Sequence, residues 1–482
     1  MRRAVLALLA LALIGLALWR LEGARAGVEI TGHHFGETPA RLYQGSGAGP
    51  LVVLAHGFAG SQRMMEPLAL TLAHAGYRAL TFDFEGHGRN PVPMSGDVAA
   101  VGGTTARLVA QTRVVLAGAR ALTGWQGPVA LIGHSMASDI VVRAGLAEGA
   151  AAIVAISMYS EAVTEAGPAN LLILSGEWEP GLRRVALDAL RQVAPEAEEG
   201  ETAAGPPRRR AAVAPDVEHL GVLYSPVTLA ETRAWLDAAF GRAPGQGRLA
   251  TTGGWIAALL LGIVLLGRVL VTATPPVPAS AVLPARRFWM VALLPAVAVP
   301  LALRPLPTAF LPVLVADYLA LHLLAYGALL LALSRGVPLR GAVWAGLALA
   351  LWGIAVFGLS LDRYFSSFLP VAERLPVLAA LLPGALAYAL GEARALRGGQ
   401  APLWQALTLR GAFLGSLALA AALDFDRLMF LLIILPVMLA WFAIFATQAG
   451  WVGRRHGPLA AGLGAGAILA WTLGVTFPLF VR

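Results

Sequence analysis

The sequence predicts two fold classes in one chain. The first half is an α/β fold with a doubly wound, mostly parallel sheet; the second is an all-α polytopic transmembrane domain of about eight helices. Three observations carry this. The 482 residues are 57% hydrophobic and only 13% charged, with a mean hydropathy of +0.70, whereas a soluble globular protein carries about 25% charge. Up to about residue 250, short continuous apolar runs alternate with helical stretches. Beyond it the apolar runs lengthen towards the roughly 20 residues that a bilayer requires.

The elements follow in chain order. Met1-Arg2-Arg3, an apolar stretch over residues 4–18 and Ala24-Arg25-Ala26 read as a signal peptide or a retained signal anchor over residues 1–27. Either places residue 28 onward outside the cytoplasm. Apolar runs at 51–55, 78–84, 128–132, 151–157 and 170–174, with a shorter one near 211–214, have the length and continuity of buried parallel strands. Helical stretches lie between them, as at 62–75 and 104–122. Ser225-Pro226 supplies an N-cap and an N1 proline for a last helix that carries Leu229, Leu236 and Phe240 on one side. Strand–helix alternation of this kind implies a parallel sheet covered on both faces. The charged stretch 196–210 reads as a surface loop. This domain spans residues 28–242, followed by a linker at 243–252 and the membrane domain at 253–482.

Eight spans are expected near 254–274, 288–303, 308–333, 342–361, 375–391, 403–423, 428–447 and 458–480. Alternate loops differ in charge. One set holds Arg286/Arg287, Arg335/Arg340, Arg394/Arg397 and Arg454/Arg455, without acids. The other holds Arg304, Asp362/Arg363/Glu373/Arg374 and Asp424/Asp426/Arg427. The acid-free arginine loops mark the cytoplasmic side, so residues 28–242 are again expected outside it. The chain is thus read as an integral membrane protein of a bacterial cell membrane, with its first domain extracytoplasmic. All 36 strongly basic residues are Arg, and the net charge is +8. Their position in short loops accounts for that charge through topology, and no nucleic-acid partner is expected. The absence of cysteine excludes disulfides and thiolate chemistry.

The chemistry lies in the first domain. Gly133-His134-Ser135-Met136-Ala137 follows a predicted strand and opens a predicted helix. A nucleophile on so sharp a turn needs small neighbours, which Gly133 and Ala137 provide; glycine is commoner at the fifth position. The Met136 N–H then lies at a helix N-terminus, suited to an oxyanion. His56-Gly57-Phe58-Ala59-Gly60 ends an earlier strand and can aim a second N–H, that of Phe58, into the same site. After the strand at 170–174, Ser175-Gly176-Glu177-Trp178-Glu179-Pro180 offers two carboxylates, of which Glu179, just before Pro180, is preferred to Glu177. His219 lies between a short strand and the final helix. The order Ser135, Glu179, His219 is the order of nucleophile, acid and base on such a sheet. His87 and His134 read as structural, and His33, His34 and His74 form no metal-ligand pattern.

Taken together, His56-Gly57, Asp83-Phe84-Glu85-Gly86-His87-Gly88, Gly133-His134-Ser135-Met136-Ala137, Gly176-Glu177-Trp178-Glu179 and His219 resemble the α/β-hydrolase superfamily over residues 28–242. The resemblance implies Ser135 as nucleophile, His219 as general base, Glu179 as orienting acid where Asp is commoner, and Phe58 and Met136 as oxyanion donors. No cofactor or metal is implied. The gap between the strands at 151–157 and 170–174 is too short for the helical lid that many relatives carry. With no large lid of its own, the site is expected to be covered by the membrane surface or the membrane domain, which favours an amphipathic or lipid-attached ester.

The expected function is therefore a membrane-tethered serine hydrolase acting on ester substrates, small-molecule or lipid-linked, with the bilayer as its partner. Amide hydrolysis uses the same parts. An acyltransferase with the same triad, and a transporter or channel with a non-catalytic outer domain, are the alternatives. In the membrane half, Tyr318, His322 and Tyr326 share a helix face beside Asp317. Arg268 and Arg410 also lie within spans and are expected to snorkel or to pair with an acid.

Overall fold

The computed structural model describes residues 2–97, 101–245, 247–278, 281–308 and 310–481. The chain forms two compact units. One comprises Gly15–Ala258, Leu361–Ser367 and Pro478–Arg482; the other comprises Met1–Ile14, Leu259–Ser360 and Phe368–Phe477.

An N-terminal helix, α1 (Arg2–Arg25), precedes the sheet. The strands are β1 (Glu29–Phe35), β2 (Thr38–Gln44), β3 (Leu51–Ala55), β4 (Arg78–Phe82), β5 (Val129–His134), β6 (Ala152–Ile156), β7 (Asn170–Gly176), β8 (Thr202–Ala203) and β9 (Arg208–Ala214). Their spatial order is β1-β2-β4-β3-β5-β6-β7-β9-β8. From β4 to β9 all neighbours are parallel, with Val53 opposite Leu80 and Leu131, and Ile132 opposite Val154. The pairs β1–β2, β2–β4 and β8–β9 are antiparallel, so the sheet is mixed at its edges.

The strands between are apolar because both their faces are covered. Alternate residues Val52, Leu54, Ile132, Val154 and Leu172 join one core cluster with Leu68 and Leu72 of helix α2 (Glu66–His74). Leu229 and Leu236 of helix α6 (Pro226–Ala239) complete it. Residues one position out of phase project to the opposite face. There helices α3 (Ala106–Thr123) and α4 (Met136–Glu148) pack against the strands, and α5 (Pro180–Arg191) packs beside β7 and β9. The Ser225 hydroxyl accepts the Val227 N–H at 3.3 Å, the expected cap of α6.

Two expectations need correction. The charged stretch 196–210 is not simply a surface loop, because it contains β8 and the start of β9. Its Arg209 is fully buried and donates to the carbonyls of Ala189, Thr164 and Gly167. The hairpin β1–β2 was not expected at all.

The second unit is helical. Including α1, nine helices among the described residues are long and apolar enough to cross a membrane. The eight after residue 250 are Gly253–Val271, Ala285–Leu303, Ala316–Leu333, Val343–Tyr364, Ala372–Ala395, Leu403–Leu423, Leu431–His456 and Pro458–Thr476. The third starts later than expected, because Pro305, Pro307 and Pro312 oppose helix before it. Within this unit Arg410 pairs with Glu392 at 2.7 Å, and Arg268 lies over the ring of Trp451. His322 sits between the Ser416 hydroxyl at 3.1 Å and the Tyr318 hydroxyl at 3.4 Å. Asp317 accepts the N–H groups of Phe310 and Tyr318.

Candidate active site

Ser135 occupies the sharp turn between β5 and α4, with φ 54° and ψ −121°. A side chain on Gly133 would place its Cβ 2.3 Å from the Ala137 carbonyl oxygen, so only glycine fits there. The turn lifts the serine above the carboxyl edge of the sheet. In this unit the described non-glycine residues with positive φ are Ala59, Ser135, Ser157 and Asp216, and all four lie on loops leaving that edge. Backbone strain of about 1–3 kcal/mol per residue persists only where surroundings hold it, and it gathers at functional sites.

The three expected residues meet in one hydrogen-bonded line. His219 Nε2 lies 2.9 Å from Ser135 Oγ, and His219 Nδ1 lies 2.5 Å from Glu179 Oε1. Glu179 is the carboxylate brought to the histidine. Glu177 instead accepts the Asp216 N–H at 2.8 Å, which ties down the loop that carries His219. Burial acts to raise the Glu179 pKa, but hydrogen bonds from His219, the Gly176 N–H and the Ser157 hydroxyl outweigh it. The carboxyl is held below its ordinary value and is ionised at neutral pH.

Two supporting residues had no signal of their own in the sequence. Ser157, at the end of β6, donates to Glu179 Oε2 at 2.8 Å. His134 Nε2 lies 2.8 Å from the His219 carbonyl oxygen. Burial pushes His134 down to about 3, with the charge of His219 acting in the same direction. It is therefore neutral, and its Nε2–H donates to that carbonyl. Its place beside Ser135 was legible, but its bond to His219 was not.

Phe58 lies on the loop leaving β3, and Met136 is the first residue of α4. First-turn N–H groups of a helix have no partner within it, so the Met136 N–H is suited to an anion. Asp83 orders the loop after β3 by accepting the Gln62 N–H at 2.7 Å and the Gln62 side-chain amide at 2.9 Å. His56 Nε2 accepts the Phe84 N–H, and the His87 ring stands edge-on to Phe58 at 5.6 Å. Residues 157–169 between β6 and β7 form turns and a single bridge, with no helix. Among the described residues no cluster of His, Cys, Asp or Glu is suited to hold a metal ion.

Residues 48–196 match the family described as Hydrolase_4, serine aminopeptidase, S33. No curated protein matches the chain. Among solved structures, TT1662 from Thermus thermophilus is 20% identical, with 45% of this chain and 99% of that one covered and a TM-score of 0.34. A membrane phospholipase A, described as a bacterial virulence factor, is 14% identical, with 48% and 92% covered and a TM-score of 0.33. Dienelactone hydrolase from Anabaena variabilis is 19% identical, with 44% and 94% covered and a TM-score of 0.32. At such scores the fold rests on the strand order and register of the sheet. On that topology, with the family match over residues 48–196, the first half of this chain has the α/β-hydrolase fold, joined in sequence to a helical second half.

Proposed function

We propose that this protein is a membrane-tethered serine hydrolase that cleaves esters, small-molecule or lipid-linked, through an acyl-enzyme on Ser135. The observation that carries the reading is the unbroken line Ser135 Oγ–His219–Glu179. Ser135 attacks the carbonyl carbon as His219 Nε2 takes its proton. The ionised Glu179 holds the Nδ1–H and stabilises the imidazolium that forms. The N–H groups of Phe58 and Met136 receive the developing oxyanion. His219 returns its proton to the leaving alcohol, and water activated by the same histidine then releases the acid.

An ester with an apolar part is favoured by the residues beside the triad. Trp178 lies between Glu177 and Glu179, Leu220 follows His219, and Tyr159 follows the loop residue Ser157 by two. All three are exposed, which supports an apolar surface beside a site without a helical lid. Parity supports one side for the whole unit, and the acid-free arginine loops on the other side support that side being extracytoplasmic. Residues 361–367 and 478–482 belong to the same compact unit as the hydrolase domain. Four and eight candidate spans, respectively, separate them from it in sequence, and an even number of crossings returns the chain to its starting side.

The test is labelling of intact cells with a membrane-impermeant fluorophosphonate. Wild-type protein takes the label and Ser135→Ala does not. Folded wild-type protein that stays unlabelled in detergent would refute the enzyme reading. Labelling in detergent but not on cells would refute the placement alone.

A further inference from the structure

We propose that residues 361–367 and 478–481 are positioning elements of the active site, and that Asp362 sets the loop that carries Phe58. The inference rests on the reading of the Phe58 N–H as an oxyanion donor, and it names what holds that donor in place.

The loop in question runs from Gly57 to Arg63. Its Ala59 sits at φ 56°, a left-handed conformation that a residue with a Cβ rarely adopts unaided. The N–H of Phe58 is therefore aimed by whatever holds the residues around Ala59. Asp83 holds Gln62 from within the hydrolase domain. The next contacts come from far along the chain. Arg63 donates to Asp362 Oδ2 at 3.2 Å and to the Arg363 carbonyl at 3.3 Å. Arg89 donates to the same Asp362 oxygen at 2.8 Å. The buried Ser61 hydroxyl accepts the Ser367 N–H at 3.0 Å and lies 3.3 Å from the Ser366 hydroxyl. A single buried carboxylate thus stands between two guanidinium groups. Burial lowers Arg63 to about 10, the charges of Arg41 and Arg89 add to that, and Asp362 opposes it.

The second element meets the loop from the Phe58 side. Leu479 and Val481 pair with the segment after β4 like a short strand. The Leu479 N–H donates to the Gly86 carbonyl at 2.9 Å, the Met94 N–H to Leu479 at 2.8 Å, and the Val481 N–H to Met94 at 2.7 Å. Gly86 is required, since a Cβ there would lie 2.3 Å from the Leu479 carbonyl oxygen. This pairing presents the buried ring of Phe480 to that of Phe58, with centroids 6.4 Å apart. Phe58 therefore has His87 on one side and Phe480 on another.

The chemistry follows from charge and packing. With Asp362 made neutral, Arg63 and Arg89 face each other near Arg41 with only the charge of Glu66 left to offset them. Arg63 then moves, and Ser61 and Ala59 move with it. A donor shifted by about 1 Å loses most of its grip on the oxyanion, while ground-state binding is little changed. Asp362 touches no substrate, so its effect belongs in kcat.

The test uses the full chain in detergent micelles with p-nitrophenyl butyrate and its thionoester, in which sulfur replaces the carbonyl oxygen. Oxyanion donors favour oxygen over sulfur, so the ratio of the two rates reports their alignment. Asp362→Asn is expected to lower kcat on the oxygen ester about tenfold or more, with KM held within about twofold. The oxygen-to-sulfur rate ratio falls with it. Asp362→Glu restores part of both, and Phe480→Ala shifts both in the direction of Asp362→Asn. Asp426→Asn, an exposed acid in the short helix Phe425–Leu428, is the unchanged control. If Asp362→Asn does not fold, Ser61→Ala and Phe480→Ala carry the same comparison. Folded variants that keep the wild-type kcat and rate ratio overturn the inference. Wild-type protein that does not label at Ser135 overturns the hydrolase reading instead, so the two failures are distinct.

Discussion

The Ser157 hydroxyl donates to Glu179 at 2.8 Å, on the carboxylate oxygen turned away from His219. The Gly176 N–H donates to that same oxygen at 2.7 Å. One oxygen is fixed by the scaffold while the other faces the histidine, so the plane of the carboxylate is set before any substrate arrives.

Removing that hydroxyl shifts the pH response. A carboxyl whose folded-state pKa is depressed contributes stability above its unfolded pKa and loses it as pH falls through the folded value. Ser157→Ala takes away one of the bonds that depress Glu179, so its pKa rises towards the ordinary carboxylate range. The loss of activity that follows Glu179 protonation moves to higher pH within the acidic range, while the lost hydrogen bond leaves the carboxylate less firmly placed and lowers activity at pH 7.5 by about tenfold. A pH–rate profile of the variant that overlays the wild type would contradict this.

His134 makes the fold acid-sensitive. Its folded-state pKa of about 3 lies below the unfolded value of about 6.5. The stabilisation is complete above about pH 6.5 and is lost as pH falls, at about 1.4 kcal/mol per pH unit for this one proton. His134→Gln keeps a donor for the His219 carbonyl but cannot titrate. Denaturant midpoints between pH 4 and 7 are expected to fall less steeply in this variant, although it starts less stable at pH 7.

If esters are the substrate as proposed, the exposed side chains beside the triad are expected to set chain-length preference. Trp178→Ala removes the largest apolar face next to Glu179 and is expected to raise KM for p-nitrophenyl decanoate by about tenfold, with p-nitrophenyl acetate changed by less than about twofold. Equal loss on both esters would mean that Trp178 positions Glu179 rather than receiving the acyl chain.

In the helical unit, Arg410 and Glu392 form an ion pair with little solvent access. Glu392→Gln leaves the guanidinium unpaired and is expected to cost about 3–5 kcal/mol, whereas Glu392→Met with Arg410→Met comes out near neutral. Thermal unfolding in detergent, followed by tryptophan fluorescence, measures both. A double variant as unstable as the single one would show that the pair has a role beyond mutual compensation.

What the sequence made legible follows from how each element is buried. The parallel strands β3 to β7 announce themselves as short apolar runs because both their faces are covered. The β1–β2 hairpin escapes notice because β1 reads Glu-Ile-Thr-Gly-His-His-Phe on a half-exposed edge, and β2 carries Pro39. Its one signal is Gly36, at φ 60° in the connecting turn. The start of β9 is hidden by Arg208-Arg209-Arg210, three charges in a row, of which the middle one is buried against backbone carbonyls. Ser135, Glu179 and His219 stand in local patterns that their chemistry demands, and the structure brings them together. Ser157, Asp362 and Phe480 stand in no local pattern. Each acquires its place only when distant parts of the chain meet.

The pairing of Leu479 and Val481 with Gly86 and Met94 has a consequence for biosynthesis. A ribosome releases Gly86 and Met94 early, and Ser135 and His219 after them. The strand-like partner arrives only when the whole series of candidate spans between has been made. Until then the hydrolase domain lacks part of the wall beside Phe58. That wall is completed only after the helical half has been synthesised.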